Sequence, residues 1–178
     1  MRKPPLVAVD RMARVGDLDV PRELYTVLTT PACLAGMPRP TEDTPWRALR
    51  EAGFHHVVCL TDACPPYNPA PLNLLHAVLL QDLYGGIEPH DPERERREIG
   101  CAAQAVLAAL ERGEGVGVHC AGGTGRTGTL LGVVLRSLGH AAPDVVAYLD
   151  AVHKERGKDG WPESAWQSEL LAAEHRLR

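Results

Sequence analysis

Aromatic residues are scarce in this chain. Phe, Trp and Tyr make up only 4% of its 178 residues, and there is a single Phe. The hydrophobic core must therefore be built from Ala, Leu and Val. So few rings also leave little with which to stack the bases of a single-stranded nucleic acid.

Basic charge is limited as well. Only three lysines occur (Lys3, Lys154 and Lys158), the formal net charge is −4 and the isoelectric point is near 6.0. A net negative charge argues against partners that bind through a phosphate backbone or an anionic membrane surface. We therefore expect no nucleic-acid partner and no membrane partner, while the oligomeric state stays open.

Long apolar runs and closely paired cysteines are also missing. No apolar stretch approaches the length of a bilayer span, and no secretory hydrophobic segment follows the opening Met-Arg-Lys-Pro-Pro. The cysteines form no Cys-x-x-Cys pair, which disfavours a zinc site and a thioredoxin-like centre. We expect a cytoplasmic protein with reduced thiols, no metal and no cofactor. The five cysteines are Cys33, Cys59, Cys64, Cys101 and Cys120.

The pattern along the chain predicts one α/β domain over residues 1–178, in which 1–22 form an arm or an irregular lead-in. Residues 31–40 are predicted to be a loop, and Thr41 is a candidate helix cap. Predicted strands are 24–29 (an edge strand), 54–60, 74–80 and 116–119. Predicted helices are 43–52, 91–113, 126–138, 143–155 and 163–175. This order indicates a central, mostly parallel sheet flanked by helices.

The helix that begins near Asp91 has the clearest signals. Asp91 is a good N-cap and Pro92 suits the first helical position. Its apolar residues recur with helical spacing on one face. The preceding charged run, ERERRE at 93–98, is interpreted as a solvated face. The apolar residues of the stripe are Ile99, Ala102, Ala103, Val106, Leu107 and Leu110.

The strongest functional signal is a glycine-rich turn, VHCAGGTGRTG, at residues 118–128. Glycines between a strand and a helix let successive backbone amides point inward as an anion nest. The N-terminus of the following helix adds partial positive charge, and Arg126 offers a planar fork of donors to phosphate oxygens. Cys120 would be stabilised there as a nucleophilic thiolate. The layout suits attack on phosphorus.

Other interpretations of this turn fit less well. No Gly-x-Gly-x-x-Gly of the correct phase opens the first βα unit, as a dinucleotide-binding fold requires, and no Lys precedes Thr127 as a Walker A loop requires. A plain structural turn around a buried cysteine is the remaining alternative. His-Cys followed by five residues and Arg-Thr is far more specific than such a turn.

HCAGGTGRTG resembles the active-site loop of the cysteine-dependent protein phosphatases, His-Cys-x5-Arg-Ser/Thr. Its place late in the chain resembles the tyrosine and dual-specificity branch, in its small atypical bacterial-like type, and the likeness covers about residues 24–172. The resemblance implies Cys120 as a nucleophile that forms a phosphocysteine. It implies a hydroxyl hydrogen bond from Thr127 to the thiolate, with His119 orienting the loop through backbone hydrogen bonds. The phosphate would be bound by Arg126 and by the amides of Ala121, Gly122, Gly123, Thr124 and Gly125.

A leaving alkoxide or phenoxide needs a proton, so a general acid is expected on a mobile loop. Asp82 in LLQDLYGG is the preferred candidate, because the family carries its acid aspartate in a comparable loop at a similar separation from the cysteine. Asp91 competes, although its Asp-Pro-Glu context fits a helix cap better. Asp62, which also follows a predicted strand, is a third candidate.

Three further residues are marked by the resemblance alone. Gln167 resembles a glutamine that, in several small relatives, helps to position residues near the phosphate loop; a solvated helix glutamine is the alternative. Cys59 or Cys64 could form a protective disulfide with Cys120 after oxidation, as in some relatives. Both are otherwise ordinary core and loop cysteines.

The variable positions of the loop, residues 121–125, are small and uncharged. Relatives that act on phosphoinositides or RNA tend to carry extra basic charge there. We therefore expect a phosphorylated protein as substrate, with phosphotyrosine or phosphoserine/threonine left open because pocket depth is not readable from sequence. The alternatives are a non-protein phosphomonoester (phosphoinositide, nucleotide or RNA 5′-phosphate) and a phosphate-binding pseudophosphatase.

Overall fold

The computed structural model describes residues 3–173 and is organised around a five-stranded sheet. The strands lie in the spatial order β1-β2-β5-β3-β4. β1 pairs antiparallel with β2, and the remaining neighbours are parallel. The predicted α/β class, the mostly parallel sheet and the edge position of the first strand are thus confirmed. The strands are β1 (Tyr25–Leu28), β2 (Leu34–Met37), β3 (Phe54–Cys59), β4 (Asn73–Ala77) and β5 (Gly115–His119).

Helices cover both faces of this sheet. On one face α2 and α3 pack against each other and against β5, and α4 and α5 pack on α3. On the other face α1 packs on β3. Each face buries its own apolar cluster, and the larger one lies under α2 and α3. The helices are α1 (Trp46–Glu51), α2 (Pro92–Glu111), α3 (Gly125–Ser137), α4 (Ala142–Glu155) and α5 (Ala165–Ala172).

β2 was predicted to be part of a loop, and that prediction is wrong. Its Gly36 lies opposite Tyr25 in the register of β1 and β2. The Tyr25 ring occupies the space that a Cβ on Gly36 would need. The glycine that suggested a loop therefore makes room for an aromatic ring on the neighbouring strand.

The first helix also starts later than predicted. α1 begins at Trp46 with Pro45 at its N-cap. The Thr41 hydroxyl accepts a hydrogen bond from the Asp43 amide (3.3 Å) and so stabilises a turn before the helix instead of capping it. At the other end of the chain α5 starts at Ala165, and the predicted helical residues 174 and 175 lie outside the described range.

The lead-in, described from residue 3 to residue 22, contains one 3-10 turn (Val9–Arg11). It packs on the larger core through Leu6, Val9 and Met12. The Val7 amide donates to the Val27 carbonyl of β1 (3.0 Å), which partly covers the exposed edge of the sheet. Within residues 3–173 no helix is long and apolar enough to cross a membrane.

β5 places the glycine-rich turn. All five of its residues are buried in the middle of the sheet, with parallel neighbours on both sides. Cys120 follows the strand directly and α3 begins at Gly125. The turn therefore lies at the carboxyl end of a central parallel strand, where ligand sites of α/β sheets form.

The Asp91 cap of α2 is confirmed, since its Oδ1 accepts from the Arg94 amide at 3.0 Å. We predict that Asp91→Ala lowers the free energy of unfolding by about 1 kcal/mol. In thermal denaturation the midpoint should fall by about 2–4 °C. Asp91→Asn keeps a capping oxygen and should melt like the wild type. Equal midpoints for the Ala and Asn variants would show that the cap does not stabilise α2.

Candidate active site

Cys120 lies at the base of a cavity of about 600 Å³. It is only 2% exposed, and the residues after it curl around it as far as the start of α3. Arg126, Asp82 and Glu163 line the same cavity. The structure thus brings together the cysteine, the arginine and the preferred aspartate that the sequence singled out.

The loop is held by its carbonyl groups. Each carbonyl from Cys120 to Gly125 accepts a hydrogen bond from the surrounding scaffold. In a planar trans peptide the C=O of one residue and the N–H of the next point in opposite directions. Fixing the carbonyls on the scaffold side therefore turns the amides of residues 121–126 toward the cavity. The donors, in order along the loop, are His119 Nδ1, the Arg39 amide, Arg156 Nη2, Arg156 Nη1 with the Tyr25 hydroxyl, the Gly128 amide, and the Thr129 hydroxyl with Trp161 Nε1.

Arg156 donates hydrogen bonds to more of these loop carbonyls than any other side chain. Its guanidinium is buried, with the residue 4% exposed, and donates to the carbonyls of Gly122 (2.9 Å) and Gly123 (3.0 Å) and to the Thr124 hydroxyl (3.1 Å). The same group donates to the carbonyls of residues 21 and 22 in the lead-in. The residue that follows the last turn of α4 thereby joins the lead-in to the glycine-rich loop.

The charge of Arg156 also acts on the site. Burial lowers the pKa of Arg156, while Tyr25 and Cys120 act to raise it. Its guanidinium carbon lies 4.6 Å from the centre of the Tyr25 ring, a cation–π contact. Burial and the nearby Arg156 hold the pKa of His153 down at about 3, so this histidine is neutral and its Nδ1 accepts from Arg156 (3.0 Å). A positive charge is thus kept close enough to Cys120 to interact with it.

Gly123 is the one loop position at which two separate constraints, one on the backbone angle and one on space, require glycine. Its φ is +72°, in the region that side chains disfavour, and a Cβ there would lie 2.6 Å from the Met37 carbonyl carbon. The close approach lets the Tyr25 hydroxyl reach the Gly123 carbonyl. The loop therefore packs directly on the end of β2.

His119 is fully buried and its tautomer follows from its partners. Nδ1 lies 3.0 Å from the Cys120 carbonyl, which can only accept, so Nδ1 carries the proton. Nε2 then accepts from the Tyr67 hydroxyl at 2.6 Å. Burial raises the pKa of Tyr67, which keeps that hydroxyl protonated. This geometry is the one expected of a residue that orients the loop through its backbone.

Arg126 and Asp82 lie next to each other in the wall of the cavity. Arg126 Nη2 lies 3.5 Å from Asp82 Oδ2, and Nη1 donates to the Leu80 carbonyl (3.3 Å). The Asp82 side chain is 59% exposed. Glu95 supports this loop from α2, because both of its carboxylate oxygens accept from the Gln81 amide (3.3 Å each).

Two sequence interpretations need correction here. Glu95 belongs to the charged run that was interpreted as solvated, yet it is buried and paired with Arg94 (3.0 Å). Burial raises the pKa of Glu95 above its ordinary value. The predicted hydrogen bond from Thr127 to Cys120 is not formed in the structure: Thr127 is buried, and its hydroxyl has no partner among residues 3–173. A donor is therefore left available at the end of the loop.

The competing aspartates lie elsewhere. Asp91 caps α2, and Asp62 binds Arg39 (2.8 Å) and the Thr61 hydroxyl (3.0 Å). Neither lines the cavity that contains Cys120. Asp82 is the only one of the three that does.

Gln167 is buried, so the alternative of a solvated glutamine is wrong. Its Oε1 accepts from the amides of Glu163 (2.7 Å) and Ser164 (3.2 Å), which is the glutamine half of a capping box at the start of α5. Gln167 thus fixes the backbone of Glu163, which lines the cavity. That contact places it behind the wall of the site.

All five cysteines are free thiols in the structure. Burial acts to raise the pKa of Cys59, but its interactions with the nearby His119 and Thr61 lower it to about 7. Cys64 is exposed. A disulfide from either residue to Cys120 stays a prediction. Nowhere between residues 3 and 173 do three or more His, Cys, Asp or Glu side chains form a group that could hold a metal ion.

Sequence reasoning missed Arg156, Tyr25, Trp161 and Glu163. The first three act on backbone carbonyls, which carry no sequence signature. The clue to Tyr25 is its pairing with Gly36, which becomes visible only once β2 is assigned. None of these four residues stands at a sequence distance from the glycine-rich loop that would predict a contact with it.

Arg156→Met should weaken oxyanion binding at the loop. It keeps the aliphatic stem but removes the donors to Gly122 and Gly123. The Gly122 carbonyl is then orphaned, which costs about 1–3 kcal/mol, while the Gly123 carbonyl keeps the Tyr25 hydroxyl. We expect the Kd of inorganic phosphate, measured by calorimetry, to rise at least about tenfold. Arg156→Lys keeps the positive charge but loses the planar pair of donors, so its Kd for phosphate should lie between those of the wild type and Arg156→Met.

Tyr25→Phe is the milder companion, since it removes one hydrogen bond to Gly123 and leaves the core packed. It should raise the same Kd by about threefold. Wild-type phosphate affinity in a folded Arg156→Met protein, judged by circular dichroism, would contradict the role of the guanidinium in orienting the loop.

Known folds resemble this one. The human tyrosine phosphatase-like serine/threonine/tyrosine-interacting protein is 17% identical, with 84% of this chain and 93% of that chain covered and a TM-score of 0.63. TpbA of P. aeruginosa, solved in complex with pTyr, is 14% identical (88% and 92% covered, TM-score 0.58). PTPMT1, solved in complex with PI(5)P, is also 14% identical (78% and 87% covered, TM-score 0.54). At these identities the likeness shows the fold.

Family membership comes from the sequence match. The family described as "Swiss Army Knife protein, DSP-PTPase phosphatase domain" (PTP-SAK) matches residues 25–176. That range contains the whole sheet, the glycine-rich loop and the residues that hold its carbonyls. The expected resemblance to the tyrosine and dual-specificity branch is thereby confirmed, and the chain belongs to the PTP-SAK family of DSP-PTPase phosphatase domains.

Proposed function

We propose that this phosphatase domain hydrolyses phosphomonoesters through a phosphocysteine, with Asp82 as general acid and base. The observation that carries the proposal is the combination at one cavity: a cysteine surrounded by inward-facing amides, with Arg126 and Asp82 on the wall. Amides and a guanidinium bind an oxyanion, a thiolate attacks phosphorus, and a carboxyl group transfers a proton.

In the first step the Cys120 thiolate attacks phosphorus as the ester bond to the leaving oxygen breaks. The loop amides and Arg126 hold the three non-bridging oxygens, whose charge they stabilise in the transition state. Asp82 gives its proton to the leaving oxygen. The products are an alcohol or phenol and a phosphocysteine.

In the second step Asp82, now a carboxylate, takes a proton from a water molecule. The water oxygen attacks phosphorus, the S–P bond breaks, and Cys120 leaves as a thiolate. Inorganic phosphate is released and Asp82 is again protonated. No external oxidant, reductant or metal enters this balance of atoms and charges.

Asp82 must move for this cycle. Its contact with Arg126 uses a donor that a bound phosphate would take. The loop that follows contains Gly85 and Gly86, at φ +78° and +83°, where glycine permits a backbone change that other residues resist. Exchange of the Arg126 partner from Asp82 to phosphate would free the carboxyl group to face the leaving oxygen.

The charges at the mouth favour a substrate with one phosphate. Lys158 is the cation that accompanies Arg126 there, whereas Asp82, Asp159 and Glu163 are acidic. Tyr84, 62% exposed, stands on the rim where it could contact an aromatic leaving group. Together with the pTyr complex of TpbA, this supports a phosphorylated protein, and phosphotyrosine in particular, over the phosphoinositide seen with PTPMT1.

We predict that Cys120→Ser reduces phosphate release to background, because a hydroxyl is not ionised there at neutral pH. Asp82→Asn should lower kcat by about a hundredfold to ten-thousandfold with KM little changed. Steady-state assays of an alkyl phosphate would measure both. Asp62→Asn and Asp91→Ala are the matched controls, with kcat expected at the wild-type level. A large loss of kcat in either control would reassign the acid.

Substrate class is tested by phosphate release from four pools: phosphotyrosine peptides, phosphoserine/threonine peptides, phosphoinositides and nucleotides, with Cys120→Ser protein as the blank. We expect the highest kcat/KM on phosphotyrosine peptides. A highest value on a phosphoinositide or nucleotide would select the non-protein alternative. Binding of phosphopeptides without turnover in any pool would identify a pseudophosphatase.

A further inference from the structure

A second carboxyl group, that of Glu163, stands in the wall of the phosphate cavity, and the reaction above does not use it. Its Oε2 occupies the space where a Cβ on Gly125 would be. It is therefore packed against the backbone that begins α3 and supplies the last amides of the loop. A carboxylate this close to an oxyanion cradle requires an explanation.

The position of Glu163 is fixed. Its amide donates to Gln167 (2.7 Å), and its carbonyl accepts from the Gly86 amide (2.9 Å) in the loop that follows Asp82. Its carboxylate, in contrast, makes no hydrogen bond and no close ion pair with any residue from 3 to 173. The backbone is held from two sides while the acid group faces the cavity unpaired.

The charges around this carboxyl group are mixed. Burial raises the pKa of Glu163, and the Asp82 carboxylate raises it further. Arg126 and Lys158 act in the opposite direction, and Asp159 again disfavours ionisation. Asp82 and Arg126 face the group from inside the cavity, while Lys158 and Asp159 are exposed on the α4–α5 loop.

We propose that Glu163 couples oxyanion binding to protonation: the cavity takes up a dianion together with one proton from solvent, which resides on Glu163. In that state the carboxyl group donates a hydrogen bond to a ligand oxygen. When it is ionised, it repels the dianion. The inference rests on the proposed phosphate site and adds to it a group that sets its pH dependence.

The direction of the pH dependence follows from the raised pKa of Glu163. At pH below that pKa, Glu163 is already neutral and an oxyanion binds with little proton uptake. As the pH rises through the pKa of Glu163, oxyanion binding requires that Glu163 take up a proton, and the affinity for the oxyanion falls. Removing the ionisable group should therefore strengthen binding at high pH and leave it nearly unchanged at low pH.

Sulfate is the probe, because it stays doubly charged from acidic to mildly basic pH and contributes no proton of its own. Calorimetry in two buffers of different ionisation enthalpy counts the protons taken up. The Cys120→Ser protein is the parent, since it lacks the thiol and removes its ionisation from the count. Adding Glu163→Gln to it should abolish most of the uptake and tighten sulfate binding at pH 8 by about tenfold.

Two controls separate Glu163 from its neighbours. Asp159→Asn removes a rim carboxylate that disfavours ionisation of Glu163, so the proton uptake should persist but move to lower pH. Lys158→Met removes a cation that favours ionised Glu163, so uptake should persist to higher pH. This exposed substitution also tests the proposal if the Glu163→Gln protein fails to fold.

Unchanged proton uptake after Glu163→Gln would overturn the proposal and point to Asp82 as the coupled group. An unchanged uptake profile in Lys158→Met would overturn it as well. The result is independent of turnover: a wild-type protein that binds sulfate with Glu163-dependent uptake but releases no phosphate contradicts only the proposed hydrolysis. Failure of sulfate to bind at all would contradict both.

Discussion

The site depends on one constraint of the peptide unit: an amide can face a ligand only if the carbonyl on the other side of the same plane is satisfied elsewhere. In this protein every carbonyl from Cys120 to Gly125 has a donor outside the nest. The nest is therefore a property of what surrounds it. Glycines permit the curve, but the scaffold selects it from the many conformations that glycine allows.

Two arginines lie on opposite sides of the glycine-rich loop and have different roles. Arg126 points into the cavity and offers donors to a ligand, whereas Arg156 lies behind the loop and uses its donors on the protein itself. Desolvating a guanidinium is costly unless its donors are satisfied. Because nearly all the acceptors of Arg156 are backbone carbonyls and a neutral histidine, its positive charge is not cancelled. A buried cation thus remains near the nucleophile.

Sequence reasoning found the parts whose signal is local. The loop motif located Cys120 and Arg126, and the cap and apolar stripe located α2. It failed at β2, where Gly36 serves a neighbouring ring, and at Thr41, where a turn used the hydroxyl. It could not find Arg156 or Glu163, because an arginine that binds carbonyls and a glutamate that fills the space above a glycine are identified only by their surroundings.

The edge strand β1 has a consequence for how the active site comes into existence. Tyr25 reaches a carbonyl 98 positions later in the chain, and Arg156 binds a carbonyl 135 positions earlier. The contacts that hold the glycine-rich loop and tie it to the lead-in therefore join residues that are far apart in the chain. Contacts of that kind form after local ones. A fragment that retained HCAGGTGRTG but lacked β1 and the lead-in would possess the signature of a phosphatase without the shape that gives the signature its chemistry.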